Sequence, residues 1–301
     1  MKRLLAPLLA AVLAGCIPVN VPEGAFFYPE ARLQSENIVL EDSRPWPGAE
    51  VLSIAYPGGA VAATRIRTGE AATPLILFCG GNMFRRRVNT FGAARKLTPF
   101  GDVLMFDYPG YGDTPGQADV AGFRAAGEAV AAAARAQADA EGRPLIAWGH
   151  SLGGPICAEA ARLTRADALV LEATTPSARA AVHQQAGMMG PFLRFNIAPG
   201  LAAIDVPASL DGYSGRVVVL EAGQDDTLPP APMDARQMAR VILNLISNAI
   251  NYTHPHKAIH VRTYAADGQV CFAVQDEGIG MSEFECAHIF DRFYRADQAR
   301  L

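Results

Sequence analysis

No run of about 20 consecutive apolar residues, the length a helix needs to cross a bilayer, occurs in the sequence, so no transmembrane helix is expected. There is no CxxC pair. The five cysteines, Cys16, Cys79, Cys157, Cys271 and Cys286, are scattered, and neither a zinc site nor a disulfide framework is expected from them. Positive charge is not in excess: 26 Lys and Arg stand against 30 Asp and Glu, a net charge of −4. That balance offers no electrostatic footprint for nucleic acid. Charged residues make up only 19% of the 301 positions and apolar residues 50%, which allows a large buried core and excludes global disorder.

The amino terminus has a character of its own. Lys2 and Arg3 precede an apolar run from Leu4 to Leu13, followed by the small residues Ala14 and Gly15 and then Cys16. Charge, short apolar stretch and small residues in that order predict a signal peptide over residues 1–15. "LAGC" resembles a bacterial lipobox. The resemblance implies that Cys16 is the lipidated first residue of an exported chain anchored to the bacterial cell envelope, facing the periplasm in a Gram-negative cell. Residues 16–49, rich in proline, read as a tether and lead-in.

From residue 50 the pattern changes. "VLSIAYP" and "GAVAATRIR" predict a β-hairpin turning at Pro57-Gly58-Gly59. "PLILFCGG" (74–81) and "DVLMFDYPGYG" (102–112) are continuous apolar runs ending in glycine turns, as buried parallel strands do. The alanine-rich stretch 120–142 predicts a helix stopped by Gly142. "PLIAWG", "ALVLEA" and "RVVVLEAG" continue the strand series. Strands alternating with helices predict an α/β fold with a doubly wound, mostly parallel sheet. The long stretch from Thr174 to Tyr213 is a candidate cap over it.

"GHSLG" (149–153) matches G-x-S-x-G directly after a predicted strand and before a helix. A tight strand-to-helix turn exposes the serine oxygen, and the flanking glycines remove side chains that would clash there. Residues 50–232 resemble the α/β-hydrolase family, in particular the branch carrying "HGNxGN" and "DYRGYGxSxG". The counterparts are "FCGGNM" (78–83) and "DYPGYGDTPG" (107–116). The resemblance implies Ser151 as nucleophile, the backbone N–H groups of Gly81 and Leu152 as oxyanion hole, and no metal or cofactor. Cys79 replaces the family's usual histidine, and Asp107 is read as a turn-stabilising carboxylate. "EAGQDDTLPP" resembles the family's acid-bearing turn, which places the triad acid at Asp226, with Asp225 the other choice.

Residues 233–301 change family. "RVILNLISNAINYT" (240–253), "DEGIG" (276–280) and "IFDRFYRAD" (289–297) resemble the N, first glycine and phenylalanine boxes of the histidine-kinase ATPase domain. The resemblance implies Asn248 at magnesium, Asp276 at adenine, and Gly278 and Gly280 close to the nucleotide, with Mg-ATP as ligand. Asn251 stands where many members have lysine. A second glycine box, a nucleotide lid and a phospho-accepting histidine helix are not found. The expected whole is therefore an α/β-hydrolase sheet followed by a partial α+β kinase-ATPase-like segment, a fusion of two incomplete families.

The triad histidine is the open question. His150 lies in the elbow with its side chain expected to be engaged elsewhere, and His183 lies in the cap-like stretch. His254 matches the family's spacing beyond Asp226. A catalytic group of an open parallel sheet, however, comes from the carboxyl ends of strands, and His254 and His256 precede the predicted strand "AIHVRTYA". His288 falls in a later predicted helix. Three functions follow: a membrane-tethered serine hydrolase of an ester, thioester or small amide, an ATP-binding signalling module, or a non-catalytic composite scaffold. The partners expected are a small acyl substrate and the membrane, without nucleic acid.

Overall fold

The apolar run after Pro57-Gly58 pairs back on the run before it, as the turn residues predict. β2 (Glu50–Tyr56) and β3 (Gly59–Ile66) are antiparallel, with Tyr56 opposite Gly59. They belong to a computed structural model that describes residues 17–70, 73–186, 193–222, 242, 245–246, 248–250, 252–254, 257–266 and 269–288. Cys16, Asp225, Asp226, Asn251, His256 and the 289–297 box lie outside the described residues. The chain divides into two compact units, Met1–Gly215 and Arg216–Leu301.

In the first unit the elements run β1 (Ile17–Val21), α1 (Glu30–Ser35), the β2–β3 hairpin, β4 (Leu75–Cys79), α2 (Arg86–Leu97), β5 (Asp102–Phe106), α3 (Val120–Ala140), β6 (Leu145–His150), α4 (Gly153–Thr164) and β7 (Ala168–Glu172). The 174–213 stretch holds α5 (Ala178–Ala186), β8 (Leu193–Ile197), α6 (Pro199–Ala202) and α7 (Val206–Ser209), and β8 pairs in parallel with β1. The main sheet of this unit has the order β7-β6-β4-β5-β3-β2. β7, β6, β4 and β5 are parallel, and the hairpin joins antiparallel to β5. Every residue of β4 and β5 is buried, as befits strands covered on both faces.

Strand order explains where a site can form. From β4 the chain steps one way to β5 and then back past β4 to β6. Right-handed crossovers place α2 on one face and α3 and α4 on the other, where α3 and α4 touch. The order reverses at β4, so a crevice opens beyond the carboxyl ends of β4 and β6. α3 starts where Asp119 caps it, its carboxylate accepting from Gly122 N at 2.6 Å, and ends before Gly142 at φ 61°.

Two features of this unit were not anticipated. Cys79 and Cys157, both fully buried, form a disulfide across a sequence separation of 78. The spacing of the cysteines suggested no disulfide framework, since scattered spacing carries no information about contacts made across a sheet. The second is a buried charge cluster at the start of β5. One Asp102 carboxylate oxygen accepts from Arg143 Nη1 at 2.6 Å and Arg65 Nη2 at 3.0 Å, and the other accepts from Thr68 N at 2.8 Å and Thr68 Oγ1 at 2.9 Å. Burial alone would raise the Asp102 carboxyl, but the hydrogen bonds from Arg143, Thr68 and Arg65 outweigh it and hold it well below the usual carboxylate range.

The second unit contains β9 (Arg216–Ala222), β10 (Ala258–Ala266), β11 (Gln269–Asp276) and α8 (Glu283–His288). β10 adds in parallel to β9, with Ala258 beside Val217 and Thr263 beside Ala222, and β11 returns antiparallel. The first strand of the kinase-like segment thus extends the last strand of the hydrolase-like series. Among the described residues no helix is long and apolar enough to cross a membrane.

Candidate active site

Ser151 follows β6 at once and has φ 51°, one of four non-glycine residues with positive φ among the described residues. Such a backbone is costly for a side-chain-bearing residue and persists only where neighbours enforce it. The enforcement is visible. Ser151 N donates to Glu172 O at 2.9 Å, Gly154 N donates to Ser151 O at 3.0 Å, and the Thr174 hydroxyl donates to that same carbonyl. The glycines provide the clearance. A Cβ on Gly153 would stand 2.0 Å from Cys79 O, and one on Gly154 would stand 1.9 Å from Thr174 Oγ1. No side chain fits at either place.

Gly81 lies opposite. A Cβ there would meet His150 Nδ1 at 2.9 Å and Ser151 Cβ at 3.4 Å, so both side chains reach the space beside Gly81. These residues line one open cleft of about 530 Å³, whose walls include Phe78, Met83, Phe84 and Val88. Leu152 is the N-cap of α4. Among the described residues neither Gly81 N nor Leu152 N has a protein acceptor, as donors kept for a developing oxyanion would be.

His150 differs from expectation: its side chain lines the cleft with Ser151. Burial pushes the imidazole below its ordinary value, opposed by the nearby Glu172 carboxylate. Glu172 ion-pairs with Lys96 and accepts from Trp148 Nε1 at 2.9 Å. Burial would raise the Glu172 carboxyl, yet the bonds from Lys96 and Trp148 hold it below its usual range. Among the described residues no side chain hydrogen-bonds the Ser151 hydroxyl, and none form a three-ligand metal cluster. The one signal in the sequence for His150 was its adjacency to the serine.

Asp107 holds the glycine turn, as its reading predicts. It is fully buried and accepts from Arg86 N at 2.7 Å and Asp113 N at 3.0 Å. His254, in the second unit, is exposed, and its carbonyl accepts from Lys257 N ahead of β10. β9 ends at Ala222, beside Thr263, whereas His254 precedes Ala258. The five residue steps between those register points span about 17 Å of strand. His254 therefore sits at the amino end of the parallel pair, away from the carboxyl end of β9 that leads into the acid-bearing turn.

Of the nucleotide-type residues, Asn248 is helical and exposed. Asp276 ends β11, and its Oδ1 accepts from Gly278 N at 2.8 Å. Gly278 bridges Thr253, and a Cβ on it would stand 2.4 Å from Tyr252 O. Gly280 has φ 68°. The box glycines thus allow the glycine loop to close on the end of the N-box helix.

Residues 75–260, more than half the chain, match the family model of the alpha/beta hydrolase family. The chain belongs to the alpha/beta hydrolase family. Residues 233–300 match a second model, histidine kinase-, DNA gyrase B- and HSP90-like ATPase, and the two matches overlap over residues 233–260. Relatives of this second region include the sensor histidine kinase YkoH of Bacillus subtilis, 35% identical over 99 residues, covering 33% of this chain and 21% of the kinase. The sensor histidine kinase MtrB of Mycobacterium leprae is 39% identical over 71 residues, 24% of this chain and 12% of the kinase. The chain thus spans about a fifth or less of the curated relatives it matches. Among solved structures, an α/β serine hydrolase without lid from Xanthomonas campestris is 19% identical with a TM-score of 0.42, covering 74% of this chain and 88% of that one. An esterase of Pyrobaculum calidifontis is 17% identical with a TM-score of 0.44, covering 74% and 77%.

Proposed function

We propose that this alpha/beta hydrolase attacks an ester, thioester or small amide through Ser151, forming an acyl-enzyme, and that it turns over slowly because, among the described residues, no histidine is well placed as base. The observation that carries the reading is Ser151 at positive φ, at the strand-order reversal, sharing a cleft with Gly81. Gly81 N and Leu152 N serve as oxyanion donors, and Asp226 is the triad acid. His254 matches the spacing of a base, but its place ahead of β10 speaks against it. A base must come within hydrogen-bond reach of the proton it takes. His254→Ala is accordingly expected to leave p-nitrophenyl acetate hydrolysis within about twofold of the parent, since the missing contribution of a base is otherwise about 10²–10⁴-fold. Steady-state rates of the two proteins at equal concentration check this, and a hundredfold loss would make His254 the base.

Export and anchoring through Cys16 belong to the same reading. Its support is the "LAGC" pattern together with the buried Cys79–Cys157 disulfide, a bond that persists in oxidising compartments. Cys16→Ser is expected to move the protein from the membrane to the soluble fraction on cell fractionation. Retention of the variant in the membrane would contradict the anchor.

The family match over residues 233–300 favours a second reading, a Mg-ATP site at Asn248, Asp276, Gly278 and Gly280. Asp276 Oδ1 accepts from Gly278 N, which leaves Oδ2 for an adenine amino group; against the reading, the chain spans only about a fifth or less of the kinases it matches. Calorimetry of this chain with Mg-ATP is expected to give a dissociation constant no tighter than about 1 mM, near −4 kcal/mol. A micromolar value weakened by Asp276→Asn would restore the signalling reading.

A further inference from the structure

The two oxyanion donors of the proposed site come from separate pieces of chain. Gly81 N belongs to the turn leaving β4, and Leu152 N stands at the start of α4. Their spacing decides whether both reach one oxygen, and such donors act only when held in place before the reaction. Cys79 is the last residue of β4, two residues before Gly81. Cys157 lies one helical turn beyond Gly153, on the same face of α4. That face therefore meets Cys79 twice. Gly153 lies so close to the Cys79 carbonyl that a Cβ would stand 2.0 Å from it, and Cys157 is bonded to the Cys79 sulfur, with the Cα atoms 5.9 Å apart. Gly80 is held as well, its carbonyl accepting from Tyr108 Oη at 3.0 Å.

We propose that Cys79 and Cys157 are positioning residues, whose disulfide clamps the Gly80-Gly81 turn to the elbow helix and sets the spacing of the two oxyanion donors. The serine is then faster in the oxidised chain than in the reduced one. This inference rests on the reading of Ser151 as nucleophile. Opening the clamp takes two electrons and two protons. A dithiol supplies them by exchange, leaving thiols at Cys79 and Cys157 and closing its own disulfide. Both sulfurs are fully buried, so exchange requires the core to open locally, and the clamp resists brief reduction.

The test compares the parent, the Cys79→Ala/Cys157→Ala pair and dithiothreitol-reduced parent, the last serving if the alanine pair does not fold. Circular dichroism sets a temperature at which each is folded. Fluorophosphonate labelling of Ser151 is followed over a range of probe concentrations, and amide exchange is read on peptides spanning residues 77–84 and 150–157. We expect the maximal labelling rate to fall at least about tenfold, below the 10²–10³-fold of losing one oxyanion donor outright. The half-saturating concentration should hold, and both peptides should exchange several-fold faster. A purely structural bond would lower the melting temperature and leave the labelling rate of folded protein unchanged, and that result overturns the proposal. If the oxidised parent does not label, the nucleophile reading fails first. The exchange arm then decides the clamp: unchanged protection in both peptides refutes it, and selective loss there upholds it.

Discussion

Ser151→Ala is expected to lose the burst phase of p-nitrophenyl acetate hydrolysis and to lower the steady rate at least about tenfold, leaving only what binding and oxyanion donors provide to attacking water. The step is unmasked by removing one oxygen. In the parent, the Ser151 oxygen attacks the ester carbonyl, p-nitrophenolate departs and the acyl group stays on the serine, so the first turnover outruns the later ones. The parent itself should be slow. A missing base typically costs about 10²–10⁴-fold, and among the described residues nothing hydrogen-bonds the Ser151 hydroxyl. Burial lowers the affinity of half-buried His150 for a proton, opposed by the Glu172 carboxylate, yet the imidazole makes no bond to the serine. A Ser151→Ala variant as fast as the parent would show that the serine takes no part.

Asp102→Ala is expected to destabilise the first unit by about 3–5 kcal/mol, the cost of removing one partner of a buried ion pair. Arg65 and Arg143 are themselves buried, and both direct a guanidinium N–H at the same Asp102 oxygen. Glu141 remains to both, at 3.0 Å each, so the loss falls short of stranding two free cations. The two tryptophans, Trp46 and Trp148, both lie in the first unit, so fluorescence during urea unfolding reports that unit. Acid adds a sign to the test. The Asp102 carboxyl is depressed in the folded state. Its contribution is therefore present above the ordinary carboxyl value near 4 and is lost as pH falls below it. The gap between parent and variant should be full at pH 7 and narrow in strong acid. A gap under 1 kcal/mol at pH 7 would contradict the account of this cluster.

Much of the fold was legible because its signals are local. Pro57-Gly58 marks the hairpin, Asp119 and Gly142 bracket α3, and the apolar runs at 75–79 and 102–106 became strands buried along their whole length. The elbow was legible for the same reason, since three glycines and a serine within six residues have one backbone use. The disulfide was not, because Cys79 and Cys157 meet only after β4 and α4 pack. The same holds for Asp102, whose partners Arg65 and Thr68, at the end of β3, and Arg143, ahead of β6, lie on two segments remote from it in sequence. His150 was misjudged on direction: adjacency to Ser151 does not say which way a side chain leaves a turn at positive φ. In the tail, the expected strand at 258–265 formed, and it joined β9 in parallel. Hydrophobic pattern therefore let a kinase-like segment serve as the next strand of a hydrolase series, without bringing a histidine, among the described residues, to the carboxyl end of that strand pair.

The measurement that tests the central claim most directly is intact mass, followed by peptide mapping, of the protein treated with a fluorophosphonate near neutral pH. One adduct per chain, confined to the peptide carrying "GHSLGG" and absent from Ser151→Ala, is the predicted result. No adduct after prolonged exposure, or an adduct that persists in Ser151→Ala, would contradict the assignment of Ser151 as the nucleophile.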